Sequence, residues 1–323
     1  CGSIQTAIDL ATDGDAVWVA TGTYVENLAV ARSISLQGGW DTAFTVQNVE
    51  TQPAIVEDTG SVDHNLRVGE SGAPLVANVT VEGFTFRNGN DGIHVWSSNG
   101  SGSLSVTRVS IQNVAGQGIE VDGGSIHIAA SQILTAQRGI EVDAGIVRVE
   151  SLEVRHTTEE GFILEAGGAV TITQCTFQDI GQQGIQINQG TIRIAESTVT
   201  GVMSEAVLIK GGTVVLYHNV ISNVISSGNP GVYAEPDGDV ALNLTAVGNH
   251  VYAIPDHGIY ARATKGTFEG NTVHDVEGNG LYVREGDAHV VGNTVYNVQG
   301  RGIYVRDEDT LLAEVVYLSL IHI

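Results

Sequence analysis

Five carboxylates in the middle of the chain, Glu120, Asp122, Glu141, Asp143 and Glu165, recur at steps of 21 or 22 residues. If the backbone returns to the same place at each step they become neighbours about 5 Å apart, where like charges repel. A bound cation, a raised pKa or solvent screening would relieve them. Oxygen ligands of this kind fit Ca²⁺, with Asp122, Asp143 and Glu165 as the metal-ligating set. Glu120 and Glu141 fit a general acid and base, and Arg138 and Lys210 are the basic groups that could take an α-proton in an elimination. A solvated acidic face without any ligand explains the same residues.

A second set lies nearer the C-terminus. Tyr233, Tyr260, Tyr282 and Tyr304 step by 27, 22 and 22 residues, beside Arg262, Arg284 and Arg306 at steps of 22. Flat rings stack on sugar faces and an Arg row forks onto carboxylates, so this row reads as a binding surface for an acidic glycan. Tyr–Arg stacking, with help from Glu285 and Asp307, is the ligand-free account. His94 and Trp96 stand at the head of the same two columns and join the candidate ligand-binding residues. The other histidines, His127, His156, His218, His250, His274 and His289 among them, show no metal-ligand spacing.

What would align these columns is a repeat. Ten tetrapeptides of one pattern run from Gly92-Ile93-His94-Val95 through Gly118-Ile119-Glu120-Val121 to Gly302-Ile303-Tyr304-Val305. Their mean step is near 23 residues, too short and too β-branched for a helical repeat. A second strand follows in each coil (Ser125-Ile126-His127-Ile128; Thr191-Ile192-Arg193-Ile194), then a third (Thr272 to Val276). The spacing predicts an all-β, right-handed parallel β-helix with three strands per coil and about 22 residues per coil, its core built of aliphatic columns. Alternation sends the third residue of each tetrapeptide, and the residue after the tetrapeptide, to solvent. A turn column of Cys175, Ser197, Asn219, Asn249, Asn271 and Asn293 predicts a stack of side chains hydrogen-bonded along the axis.

The ends differ from the middle. Ser3 to Ala11 reads as a short amphipathic capping helix with Ile4, Ala7, Ile8 and Ala11 on one face. The whole of 1–323 reads as one β-helix domain, with an N-terminal cap and irregular first coils over 1–75, a protruding loop within 41–75, and regular coils over 76–306. Residues 307–323 place Val315 where the column expects Asn and finish on an apolar run, as a truncated or out-of-frame end would. The chain opens on Cys1 rather than Met and reads as a fragment or a processed form; Cys1-Gly2-Ser3 would also suit a lipid-anchored mature end.

Composition narrows the partners. A net charge of −23 repels phosphate backbones, so nucleic acid is an unsuitable ligand. No apolar run reaches the roughly 18 residues of a membrane span, and two cysteines make no disulfide framework.

The opening from Ile4 to Glu26, the Gly38-Gly39-Trp40 segment and the Gly-Ile-x-Val coils resemble bacterial secreted right-handed β-helix proteins of the pectin-lyase-like superfamily. The resemblance extends to about residue 306. It implies a secreted or cell-surface protein that meets extracellular polysaccharide, and the superfamily's Ca-dependent lyases place acidic ligands on this same sheet. Of the polygalacturonase-like blocks only Asn90-Asp91-Gly92 and Asp256-His257-Gly258 come near, and Pro255-Asp256-His257 matches the alginate-epimerase motif poorly. The first expectation is therefore a protein that binds an acidic glycan along the first-strand sheet and requires no cofactor. The second is a lyase or glycosidase working through the acidic cluster with or without Ca²⁺, and the third is an adhesin or spacer.

Overall fold

The computed structural model describes residues 2–60, 64–97, 100–262 and 265–306, together with the backbone of 314–316 and 319–320. The lipid-anchor reading of Cys1, and most of the reading of 307–323 as a foreign end, fall outside the described residues. The chain forms two compact units, Cys1–Thr158 and Glu159–Ile323. Each is a parallel β-solenoid with three strands per turn, and each turn contributes one strand to each of three sheets.

Sheet 1 holds the tetrapeptides. In the first unit its strands are Leu28–Val30, Leu66–Gly69, Ile93–Trp96, Gln117–Val121 and Arg138–Val142; in the second they run from Phe162–Leu164 to Ile303–Arg306. Sheet 2 contains the predicted second strands, such as Ser125–Ala129 and Thr191–Ala195, and sheet 3 the third, such as Thr272–Val276. Pairing carries no slip where the columns need it: Glu120 lies opposite His94 and Glu141, and Tyr260 opposite Tyr233 and Tyr282.

Local chemistry explains the period. Alternate residues of every strand are aliphatic and turn inward, so Ile119, Ile140, Ile185 and Ile259 are each at most 1% exposed. The tetrapeptide opens with a small residue because space is missing: a Cβ on Gly118 would come within 2.6 Å of Ile133 Cγ2. The corner between sheets 2 and 3 needs a left-handed residue, which Gly248, Gly270 and Gly292 supply at φ 61–64°. The next position is the turn column, and it behaves as expected. The Oδ1 atoms of Asn249, Asn271 and Asn293 each accept both the backbone N–H and the side-chain amide of the preceding Asn, at 2.9–3.0 Å.

The helix Ile4–Leu10 begins at Ser3, whose hydroxyl accepts from Thr6 N, and buries Ile4 and Ile8 as predicted. Residues 41–75 contain more regular structure than their sequence suggests, with strands Ala54–Glu57 and Leu66–Gly69 pairing into sheets 3 and 1. No helix among the described residues is long and apolar enough to cross a membrane.

One expectation is corrected. The outward column of sheet 1 is not uniformly wet: His94, Ile163, Gln186 and Leu208 are all at least 92% buried. An outward position is therefore not the same as an exposed one. For His94 the cover is visible, because the rings of His64 and Trp96 pack edge-on against it at 4.5 and 5.2 Å.

Candidate functional site

The first unit gathers a cluster of titratable groups on the outer face of sheet 1. His94 is its centre. Its Nε2 lies 3.2 Å from Asp122 Oδ1, and its Nδ1 lies 3.2 Å from Glu120 Oε2 and 3.3 Å from His64 Nε2. Trp96 Nε1–H donates to the same Nδ1 at 2.8 Å. The indole has only a proton to give, so Nδ1 must accept and the His94 proton resides on Nε2, pointing at Asp122. Glu120 then faces a nitrogen whose lone pair is already directed outward. This contact favours a protonated Glu120 over an ionised one.

The electrostatics agree. Burial, followed by the charges of Asp91, Asp122 and Glu141, pushes the Glu120 carboxyl up to about 7. Burial holds the His94 imidazole below its ordinary value, although hydrogen bonding to Asp122 opposes this. At neutral pH the pair is thus a half-protonated acid beside a neutral base, a combination suited to passing protons.

A supporting layer fixes the cluster. Burial alone would raise the Asp91 carboxyl, yet hydrogen bonds from His64 Nδ1 (2.8 Å), Gln117 N (2.8 Å) and Asn90 Nδ2 (3.0 Å) hold it below the usual range. The turn carrying Gln117 can approach so closely because Gly116 precedes it, where a Cβ would sit 2.3 Å from Asp91 Oδ1. Asn65, fully buried, bonds the Arg87 carbonyl through its amide and anchors the neighbouring His64. Glu141, opposite Glu120, accepts from Gln117 Nε2 and Arg138 Nη1 at 2.8 and 3.0 Å. Arg67 lies over the Trp96 ring, 4.9 Å from its centroid.

The structure therefore unites Glu120, Asp122, His94 and Trp96, with Glu141 and Arg138 as close neighbours. Arg138 is tied to Glu141 rather than free to act as a base. Among the described residues the groups of three or more side chains compact enough to hold a metal ion are His64, Asp91 and His94, and His94, Glu120 and Asp122. Asp143 and Glu165 enter neither. A donor set of two imidazoles with carboxylates suits a borderline ion such as Zn²⁺ better than the Ca²⁺ expected for an all-oxygen set. Asp143 is exposed, and Glu165, in the second unit, accepts from Asn188 Nδ2 at 2.6 Å. Lys210 follows strand Val207–Ile209 of that unit, half-buried. His64 and Asp91 carry roles the sequence did not suggest, since the coil holding His64 lacks the tetrapeptide signature. The Asn90-Asp91-Gly92 block was the one available hint.

The Tyr–Arg row of the second unit is assembled but closed on itself. Tyr233 stacks on Tyr260 at 5.0 Å and Tyr282 on Tyr304 at 4.9 Å, while Tyr260 and Tyr282 meet edge to face. Rings stacked along the axis cover one another's faces and offer edges and hydroxyls outward, so the expected sugar-stacking faces are largely occupied. Arg262 bridges Glu235 and Glu285 at 2.7 and 2.9 Å, and Arg284 bonds Glu285 at 2.7 Å. The guanidinium seated on a ring at this end is Arg301, over Tyr304 at 3.9 Å; Arg306 is exposed, and Asp307 lies outside the described residues. Burial and the Glu235 carboxylate raise the Tyr233 hydroxyl well above its ordinary value.

Comparisons with known proteins locate the fold. The mannuronan C-5 epimerase AlgE4 A-module of Azotobacter vinelandii superposes with a TM-score of 0.72 over 95% of both chains at 16% identity. The AlgE6 A-module of the same organism gives 0.54 over 94% of this chain and 97% of its own, at 14% identity. An alginate lyase from Paenibacillus sp. str. FPU-7 gives 0.58 over 76% of this chain and 91% of its own, at 14% identity. These likenesses concern the fold alone. No curated protein sequence matches the chain. The family model for the right handed beta helix region matches residues 91–187 and 160–315. The chain belongs to that family.

Proposed function

We propose that the protein acts on an extracellular acidic polysaccharide, with the His94–Glu120–Asp122 cluster as the reacting centre and proton abstraction followed by elimination as the reaction. The observation that carries this reading is the buried His94 imidazole, fixed in one tautomer by Trp96 and touching both Glu120 and Asp122. Such a group can exchange protons with an adjacent carboxyl, and Glu120, its pKa raised to about 7, is that neighbour. Glu120 and Asp122 each place a carboxylate oxygen within 4.8 Å of the other, short of the about 6.5–9.5 Å that an inverting hydrolase leaves for its attacking water, so elimination is favoured over that route. The solved β-helix proteins that superpose on this chain, an alginate lyase and two mannuronan epimerases, are consistent with a polysaccharide ligand.

The test is a panel of acidic and neutral polysaccharides, read for unsaturated product and for reducing ends, with and without EDTA. Unsaturated product from an acidic glycan, lost in His94→Gln, is the expected result. Reducing ends without unsaturation would replace elimination by hydrolysis. A second reading, binding without turnover along the second unit, rests on the outward row of Tyr hydroxyls. It gains the ground if an acidic glycan binds, nothing is cleaved, and Tyr282→Ala abolishes binding.

A further inference from the structure

Sheet 3 of the second unit carries a histidine pair that the reaction above does not use. His250 lies on strand His250–Ile254 and His274 on Thr272–Val276 of the next coil, where Tyr252 is directly opposite His274. The two Nε2 atoms face each other at 2.7 Å. His274 Nδ1 is 2.7 Å from Asp275 Oδ2, and Asn297 Nδ2 donates to the other oxygen of that carboxylate. The His274 ring is held between Tyr252 and Tyr296, nearly parallel to both, at 5.3 and 4.6 Å.

This arrangement has a defined proton inventory. The carboxylate accepts a hydrogen bond from His274 Nδ1–H, so His274 Nε2 is a lone pair, and His250 Nε2–H points at it. Moving the His250 proton to its own Nδ1 would leave two imidazole lone pairs aimed at one point. Asp275 is then the outer carboxylate that metal-bound histidines commonly carry, fixing the tautomer and raising ligand basicity. The aromatic sandwich supplies the rigidity, because His274 cannot swing away without unstacking two rings.

We propose that His250 and His274 form a site for a borderline divalent ion such as Zn²⁺, which binds both Nε2 atoms and completes its shell with water. Zn–N bonds of about 2.1 Å at a tetrahedral angle place two nitrogens roughly 3.4 Å apart, so the pair opens by about 0.7 Å on binding. The ion joins adjacent coils of sheet 3 and is independent of the His94 centre. No balance of charge beyond one tautomer shift is required when both rings are neutral.

The experiment is calorimetric titration of Zn²⁺ into the tag-free full chain at pH 8, with His94→Gln as a background that removes the donor shared by both metal-sized groups of the first unit. In that background His250→Phe and His274→Phe, which keep an aromatic ring in the column, should each lose the remaining zinc equivalent. Asp275→Asn should weaken it about 10- to 100-fold. Ca²⁺ should not compete, having little affinity for imidazole. Zinc uptake unchanged in both Phe variants, no uptake at all, or displacement by Ca²⁺ would each overturn the site.

Discussion

The His94 cluster and the Tyr–Arg row are built on equivalent positions of the same kind of strand, yet they resolve their charges in opposite ways. In the second unit the central charges meet their opposites: Arg262 spans Glu235 and Glu285, and Arg284 shares Glu285. In the first unit Asp91, Glu120, Asp122 and Glu141 crowd around two imidazoles, and one carboxyl is left near pKa 7. A satisfied ion-pair network gains little from a ligand, whereas an unsatisfied one is held ready to exchange protons or accept a cation. Repetition of a strand thus supplies positions, and the residue identities on neighbouring coils decide whether a position is inert.

The contrast can be broken most sharply by turnover. Glu120→Gln should lower kcat/KM on the cleaved glycan by about 10²–10⁴-fold, the span of a lost general acid or base. Tyr282→Phe, in the closed row, should leave turnover at the wild-type level. Equal losses in the two variants would erase the distinction between the regions.

Stability against pH is the next lever. Because the folded Glu120 pKa of about 7 lies above its ordinary value of 4.5, the folded state binds more protons than the unfolded state between those values. Its contribution to stability is present in full below about 4.5 and is lost as pH rises through 7. The shift corresponds to about 1–3 kcal/mol once partial exposure is discounted. Urea unfolding at pH 5 and pH 8 should show wild type losing this amount relative to Glu120→Gln, which has no carboxyl to ionise. A variant that tracks wild type at both pH values would place the strain elsewhere.

The smallest effect is expected in the ion-pair row. Arg284→Ala should change unfolding free energy by less than about 1 kcal/mol, as half-exposed pairs usually do. It should also leave glycan affinity unchanged, since Glu285 already occupies this guanidinium. Loss of binding in that variant would reinstate the Arg row as the glycan surface.

Much of the fold was legible because a solenoid repeats its reasons. Each Gly-Ile-x-Val unit carries the same steric and hydrophobic signal, so ten copies fix a period that one copy could not. The Asn column was readable for the same cause: its partners stand at a constant offset and bond along the axis. Glu120, Asp122, His94 and Trp96 were legible as members of outward columns. Their mutual contacts were not, because the alternation gives a direction and not a cover. The same gap explains why Ile163 and Leu208 turned out buried, and why the Tyr rings were read as free faces when each covers its neighbour.

What the sequence determined by itself is the period, the three-strand coil, the capping helix and the list of side chains that share a column, since these follow from local pattern and constant spacing. Only the tertiary structure decided that His64 and Asp91 join His94, that Trp96 sets its tautomer, and that His250 meets His274 across two coils. Those contacts depend on rotamers, corner geometry and a coil without the repeat signature. Distances between side-chain tips are properties of packing, and a one-dimensional pattern does not contain them.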